Sequence, residues 1–207
     1  MKKTIKRITA ILLILAITVS FAGCGEVAKA EKVVNNTFKA LQKADFEEIS
    51  KYIDLDDLFP DNTISESDTE SVESQELVDK LVGSLQYEIV SSEKIDKETV
   101  MVKVKVTTID MKPVMAEFMK DLLAYSFANA FADPQPTEEE TNKATMDMLL
   151  ECLSAEDLEF VTNEIDIKVV KVDKDWKIDA NEDMADVLVG GMISAIEELA
   201  ESFQEIE

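Results

Sequence analysis

Histidine is absent from the 207 residues. Most zinc sites and the Ser-His-Asp type of catalytic machinery depend on an imidazole, so neither is expected here. Glycine is also scarce, with five residues, and neither GxGxxG nor the P-loop pattern occurs. The sequence therefore predicts no bound metal, no cofactor and none of the common nucleotide-binding loops.

Basic residues are few: 21 Lys and Arg stand against 44 Asp and Glu, which gives a formal net charge of −23. Such a surface repels phosphate backbones and anionic headgroups. The composition argues against nucleic-acid binding and against a peripheral helix lying on lipid. The acidic charge serves solubility alone or, as the alternative, attracts cations or basic partners.

Charge is missing altogether from residues 8–23, which follow Lys2, Lys3, Lys6 and Arg7. A basic start, an apolar middle and small residues before a cleavage site are typical of a secretory signal peptide, here residues 1–23. The apolar run is shorter than the roughly 20 residues that a membrane-spanning helix needs. An uncleaved N-terminal anchor helix is the alternative interpretation.

Cysteine occurs twice, and Cys24 ends the segment Phe21-Ala22-Gly23-Cys24. This segment resembles the bacterial lipoprotein signal, or lipobox, with Phe21 where Leu is usual. The resemblance implies that Cys24 is lipidated and becomes the new N-terminus, which places the chain on the extracytoplasmic face of the cell membrane, as in Gram-positive lipoproteins. Each buried methylene contributes about 0.8 kcal/mol, so two or three acyl chains hold a protein firmly.

The other cysteine, Cys152, lies in the apolar segment "MLLECLSA". We expect it to behave as a small buried hydrophobe. A catalytic role is not expected, because no histidine is present to activate the thiol.

The chain after the leader, residues 24–207, has 17 basic and 44 acidic residues and suits a single domain. It opens with a helical stripe of apolar residues at Val27, Ala30, Val34, Phe38 and Leu41. Asp45 and Glu48 predict the capping box of a second helix, with Phe46, Ile49 and Ile53 facing inward.

Residues 61–76, "DNTISESDTESVESQE", contain no basic residue and too few apolar ones to order themselves. We predict a mobile acidic loop there, followed by a short helix at residues 77–83. A calcium site is the alternative for this loop, but the regular ligand spacing and the glycine of an EF-hand are missing.

Two segments alternate with the period of a β-strand. The first is a hairpin, with Val100, Val102, Val104 and Val106 on its buried face and a turn at residues 96–98. In the second segment Ile165, Ile167 and Val169 alternate with charged residues, and the apolar pair at Val169 and Val170 predicts a bulge. A turn at residues 173–175 then leads to Trp176 and Ile178, which share a face.

A helical insertion is predicted at residues 111–153. Pro113 suits the first turn of its first helix, and Thr137 with Glu140 predicts a capping box on its second helix. The apolar residues cover so much of the first helix that we expect burial on more than one side. They form two stripes, Met115, Phe118, Leu122 and Tyr125, and Met119, Leu123, Phe127 and Phe131.

A C-terminal helix is predicted from Met184 to Phe203. Gly190 and Gly191 interrupt it at a cost in helix stability. Their expected use is the close approach of another element.

The segments "NNTFKALQKADFEEISKYI" and "VVKVDKDWKID" resemble the nuclear transport factor 2-like, or cystatin-like, superfamily. The resemblance implies an α+β fold in which a curved antiparallel sheet wraps over N-terminal helices and forms a cone with a pocket. Residues 61–76 and 111–153 are then insertions into the simplest form of this fold. The superfamily includes both enzymes and binding modules, so the fold alone does not choose between them.

Three functions are compatible with these features. The first is a non-catalytic binding or interaction domain, in which the helical insertion lines a groove for an apolar ligand or a partner helix; the alternative is that its Met and Phe side chains fill the core. The second is a small ketosteroid-isomerase-like or dehydratase-like enzyme, with a carboxylate in the cone close to Tyr52, Tyr87 or Tyr125. The third is a structural role in the cell envelope. The groove residues in question are Met111, Met115, Met119, Met146, Met148, Phe118, Phe127 and Phe131.

Overall fold

The computed structural model describes residues 25–54 and 72–204. The predicted leader, Cys24 and residues 61–71 of the predicted acidic loop lie outside the described residues. The helices are α1 (Gly25–Leu41), α2 (Phe46–Ile49), α3 (Val72–Gly83), α4 (Met111–Asn129), α5 (Glu138–Cys152), α6 (Glu182–Leu188) and α7 (Met192–Gln204). The strands are β1 (Gln86–Lys94), β2 (Thr99–Ile109), β3 (Phe160–Val172) and β4 (Asp175–Asp179). The protein is an α+β protein, as predicted.

The four strands form one antiparallel sheet in the order β1-β2-β3-β4. The alternation in β2 is confirmed, since Val100, Val102, Val104 and Val106 are fully buried. The opposite face of the sheet is charged and bears ion pairs such as Lys103 to Asp166 at 3.0 Å. The two predicted turns lie between β1 and β2 and between β3 and β4, and Trp176 and Ile178 are both buried on the same face as Val100.

The bulge predicted in β3 is wrong. The register between β2 and β3 is continuous, and Val169 is buried opposite Val100. Val170 lies on the outer face, where it is half-buried. Because that face tolerates a partly covered apolar side chain, no phase slip is needed. The register shift occurs instead in β1, between Ile89 and Ser91.

Helix α1 packs across the inner face of the sheet with the predicted stripe, and Ala30, Val34 and Phe38 are fully buried. The Phe38 ring stacks on Tyr87, with 4.7 Å between the ring centroids. Helix α2 begins at the predicted cap, where the Asp45 carboxylate accepts the Glu48 N–H at 3.0 Å. This helix is a single turn that has room for few inward positions.

The outcome for α2 is therefore mixed. Ile49 and Ile53 are buried as predicted, whereas Phe46 is exposed, against the prediction. The Glu48 carboxylate does not return to the cap; it binds Lys51 and Tyr52.

A second apolar cluster lies among α3, α4, α5 and α7. Leu77 and Leu81 attach α3 to it. Helix α3 begins at Val72, so the prediction of a loop is wrong for residues 72–76. Packing of the two leucines supports a longer helix than composition suggests, and Glu76 pairs with Lys80 one turn on, with 3.8 Å between Oε1 and Nζ.

The predicted continuous C-terminal helix is wrong, because the chain breaks between α6 and α7. Gly190 and Gly191 both have positive φ angles, +67° and +80°, which other residues adopt only with strain. The predicted close approach is confirmed at Gly190: a Cβ there would lie 1.9 Å from the Ile109 carbonyl oxygen. Met111 N–H also donates to the Gly190 carbonyl at 2.9 Å, which joins the break to the start of α4.

Candidate functional site

Helix α4 has two halves that differ in burial. Asp110 caps its start, accepting the Lys112 N–H at 3.1 Å. In the first half Met111, Met115 and Phe118 are buried in the helical cluster. These three candidate groove residues are therefore core residues. Met119, Met146 and Met148 are half-buried.

The second half of α4 is uncovered on one side. Leu123 is 46% exposed, Phe127 is 74% exposed, and Phe131, just beyond the helix, is 95% exposed. We call these three residues, which are spaced four apart, the α4 stripe. The prediction that this helix is buried on more than one side is wrong for its second half, because Leu122 packs in the helical cluster while the α4 stripe stays exposed.

The surroundings of the α4 stripe are acidic. Residues 111–152 contain three lysines and eight acids. Each lysine has an acidic partner: Lys112 pairs with Glu198, Lys120 with Glu117, and Lys143 with Asp147. Because acids outnumber lysines, the α4–α5 hairpin that bears the exposed phenylalanines has a negative net charge. Adjacent exposed aromatic side chains with a polar rim are typical of interaction sites.

Of the three tyrosines, Tyr52 lies beside a carboxylate. Its hydroxyl donates to Glu48 Oε1 at 2.9 Å and accepts from Asn36 Nδ2 at 2.9 Å. Hydrogen bonds from Lys51 and then from Tyr52 lower the pKa of Glu48 below its ordinary value. The carboxylate belongs to a polar depression lined by Asn36, Lys39, Ala40, Lys43, Asp45 and Glu48.

The other two tyrosines lie elsewhere. Tyr87 belongs to the sheet core, where its hydroxyl donates to Asn35 Oδ1 at 3.1 Å and burial raises its pKa. Tyr125 is half-buried on α4. The structure therefore does not bring the three tyrosines together around one site.

Cys152 is half-buried and packs against the helical cluster, close to the predicted role of a small hydrophobe. Burial is the main cause that raises the pKa of its thiol, and smaller contributions come from the negative charges of Asp121, Glu117 and Glu151. A raised pKa keeps the side chain as a thiol, which is a weaker nucleophile than a thiolate. Within residues 25–54 and 72–204, no group of three or more His, Cys, Asp or Glu side chains is placed to hold a metal ion.

In the part of the chain that the structure describes, no helix combines the length and the apolar character needed to cross a bilayer. Cys24 and the leader lie outside the described residues. Lipid attachment at Cys24 therefore stays a prediction.

No protein-family profile matches the chain, and no curated protein matches it. Among solved structures, the chain is similar to ycdA of Bacillus subtilis, described as a candidate lipoprotein, with 18% identity and a TM-score of 0.40. The similarity covers 78% of this chain and 46% of that chain, so it spans less than half of the ycdA structure.

Proposed function

We propose that the protein is a non-catalytic binding module, held by lipid at Cys24 on the extracytoplasmic face of the membrane. The α4 stripe is the observation that carries this proposal. Its partner is a basic amphipathic helix, with apolar side chains on one face and Lys or Arg beside them. The cystatin-like arrangement of the sheet and α1 is the scaffold that presents the stripe.

The α4 stripe is available to a partner because the helical cluster is filled by other residues of α4. The first half of α4 already supplies the residues that the helical cluster needs, including Met115 and Phe118. Phe127 and Phe131 leave most of their area in water, which is unfavourable by about 25 cal/mol for each Å² of apolar surface. A partner that covers both rings recovers that free energy.

Charge selects the chemistry of the partner. The acidic rim of the α4–α5 hairpin attracts Lys and Arg and repels another acidic chain. A second copy of this protein carries the same negative rim and is therefore disfavoured. A basic amphipathic helix satisfies both the apolar stripe and the rim.

The test uses a synthetic amphipathic peptide of Leu and Lys, with a Leu and Glu peptide of the same pattern as its control. The protein should bind the Leu/Lys peptide, measured by fluorescence anisotropy. The double variant Phe127→Ser, Phe131→Ser should weaken binding at least about tenfold, since aromatic anchors dominate interfaces. Phe160→Ser is the matched control, because Phe160 is an exposed phenylalanine outside the stripe. This variant should bind the peptide as tightly as the unchanged protein does.

Three outcomes contradict the proposal. Equal peptide binding by the double variant excludes the stripe as the site. Binding of an apolar dye without binding of the peptide points to a small apolar ligand. Self-association that the double variant abolishes, measured by sedimentation, points to a second copy of the chain.

A small enzyme is the second candidate, favoured by the 2.9 Å contact between Tyr52 and Glu48. A tyrosine beside a carboxylate is the pairing that ketosteroid-isomerase-like chemistry requires. Against it, the lowered pKa makes Glu48 a weaker base. Isomerisation of a β,γ-unsaturated ketosteroid, followed by ultraviolet absorbance and abolished by Glu48→Gln, would establish this alternative.

A further inference from the structure

Helix α1 ties the predicted lipid site directly to one end of the sheet. It begins at Gly25, the residue that follows Cys24. Its first turn is joined to the end of β1 by the ion pair from Lys94 Nζ to Glu26 Oε2, at 3.2 Å. Just beyond its other end, Gln42 Nε2 donates to the Leu85 carbonyl at 2.8 Å, next to the start of β1. The helix therefore runs the length of β1, about 25 Å at 1.5 Å per residue.

The turn between β3 and β4 lies at the same end as the start of α1. Lys171 N–H donates to the Glu98 carbonyl at 2.8 Å, which joins this turn to the turn between β1 and β2. We call this end the turn face; it comprises residues 25–32, 94–98 and 171–175. The α4–α5 hairpin follows the opposite end of β2, beyond Ile109.

Charge differs sharply between these two ends. The turn face contains six lysines and six acids, so its formal charge is balanced in a chain whose net charge is −23. The α4–α5 hairpin has three lysines and eight acids. A negatively charged bilayer therefore repels the hairpin end more strongly than the turn face.

The turn face also exposes apolar side chains. Ile95 is 54% exposed in the first turn, and Val172 is 48% exposed at the second. Each is followed within two residues by a lysine, Lys97 and Lys174. An apolar residue next to a lysine suits the interfacial region of a bilayer, where the lysine stem lies along apolar groups and its ammonium group reaches phosphate.

We propose that the turn face lies against a bilayer of anionic phospholipid, with Lys97 and Lys174 at the lipid phosphates. This inference rests on the proposed lipid at Cys24. Consecutive Cα atoms are about 3.8 Å apart, so a lipid on Cys24 brings the start of α1 to the headgroups with no spacer in between. The α4 stripe then points into the extracytoplasmic space, where a partner reaches it.

The test is lysine footprinting on the lipidated chain without residues 1–23, inserted into vesicles of phosphatidylglycerol and phosphatidylcholine. A membrane-impermeant amine reagent is applied, and modification is located by mass spectrometry. Lys97 and Lys174 should react more slowly than in the lipid-free Cys24→Ser chain, on the order of fivefold for each lysine at the surface. Lys120 and Lys143 on the α4–α5 hairpin are the internal control and should react equally in both forms.

Two further comparisons test whether the protection depends on anionic lipid and on the turn-face lysines. Vesicles of phosphatidylcholine alone should reduce the protection of Lys97 and Lys174. The variant Lys97→Gln, Lys174→Gln should also reduce the protection of Lys29, while the matched variant Lys120→Gln, Lys143→Gln should not. Unprotected turn-face lysines, protection of the hairpin lysines instead, or equal protection on both kinds of vesicle would overturn the inference.

Two measurements distinguish the absence of lipid at Cys24 from the absence of contact between the turn face and the bilayer. The mass of the native N-terminal peptide reports whether Cys24 carries lipid. If it does not, the proposed function loses its anchor, and a chain given a synthetic diacyl group at Cys24 still tests the turn face. If Cys24 is acylated and the footprint is negative, the orientation alone is wrong.

Discussion

The Ile109 carbonyl oxygen occupies the place where a side chain at residue 190 would begin. Gly190 meets this requirement and also supplies the carbonyl that accepts the Met111 N–H. Its neighbour Gly191 has a similar positive φ, but a Cβ there would meet nothing within 4 Å. A side chain at residue 191 would therefore cause backbone strain alone, whereas one at residue 190 would cause both strain and steric overlap.

Replacing each glycine by alanine should give different losses of stability. Gly191→Ala should cost about 1 kcal/mol of unfolding free energy, which is the penalty for a left-handed backbone with a side chain. Gly190→Ala should cost about 3 kcal/mol or more, since overlap with a backbone oxygen is added to that strain. Urea unfolding followed by circular dichroism measures both, and equal losses would contradict the assigned contact.

At the scale of single elements, α5 is held at its start by a complete capping box. The Glu140 N–H donates to Thr137 Oγ1 at 3.2 Å, and the Thr137 N–H donates to Glu140 Oε2 at 2.9 Å. The hydrogen bonds from Thr137 lower the pKa of Glu140. The cap fixes where α5 starts, and α5 in turn covers one side of α4.

Thr137→Ala should destabilise the protein by about 1 kcal/mol, because the first turn of α5 loses its cap. Thr145→Ala, in the interior of the same helix, is the control and should cost less, since alanine has the higher helix propensity. Thermal unfolding at neutral pH measures both. A cost for Thr145→Ala equal to or greater than that for Thr137→Ala would show that the cap contributes little.

The same cap gives a pH dependence. A carboxyl with a lowered folded-state pKa stabilises the folded protein above its unfolded pKa, and this contribution is lost as the pH falls through the folded-state value. The difference in stability between the unchanged protein and Thr137→Ala should therefore shrink in acid.

Local patterns predicted the elements whose signals are contained in a few neighbouring residues. The alternating valines of β2, the cap at Thr137 and the turn before Trp176 are confirmed. The sequence did not reveal the extent of α3 or the break at Gly190, because both depend on contacts with distant residues such as Ile109. Helix period alone made α6 and α7 look like one helix.

The candidate site was only half visible in the sequence for the same reason. The apolar residues of α4 were found, but apolar character does not say whether another element covers them. Met115 is covered and Phe131 is not, although both belong to the predicted stripes. The acids around Asp133 and Glu138, which the helical period leaves out of account, are the sequence signal for exposure at this end.

For the whole molecule, charge repulsion should dominate the response to salt. The ion pairs described in the structure leave both side chains partly exposed, for example Lys103 with Asp166 and Lys168 with Asp179, so each contributes little. The excess of negative charge, by contrast, acts against the compact state over long distances. Screening this repulsion therefore stabilises the folded protein.

Raising sodium chloride from about 10 mM to about 150 mM shortens the screening length from about 30 Å to about 8 Å. The melting temperature should rise by a few degrees, about 2–4 °C for each kcal/mol gained in a domain of this size. Differential scanning calorimetry measures the change. A lower melting temperature at the higher salt concentration would mean that the ion pairs outweigh the repulsion.

Strand β1 forms one edge of the described sheet, and its register shifts beside Val90. Glu88 and Glu93 lie exposed on the same strand. Proteins tethered to a surface are confined to two dimensions, so neighbouring copies meet often. An unpaired edge strand can then pair with the edge strand of another copy. An irregular strand bearing like charges is a poor template for such joining. In the proposed lipid-anchored form, even a dense layer of these domains therefore remains a set of separate molecules, each with its α4 stripe unobstructed.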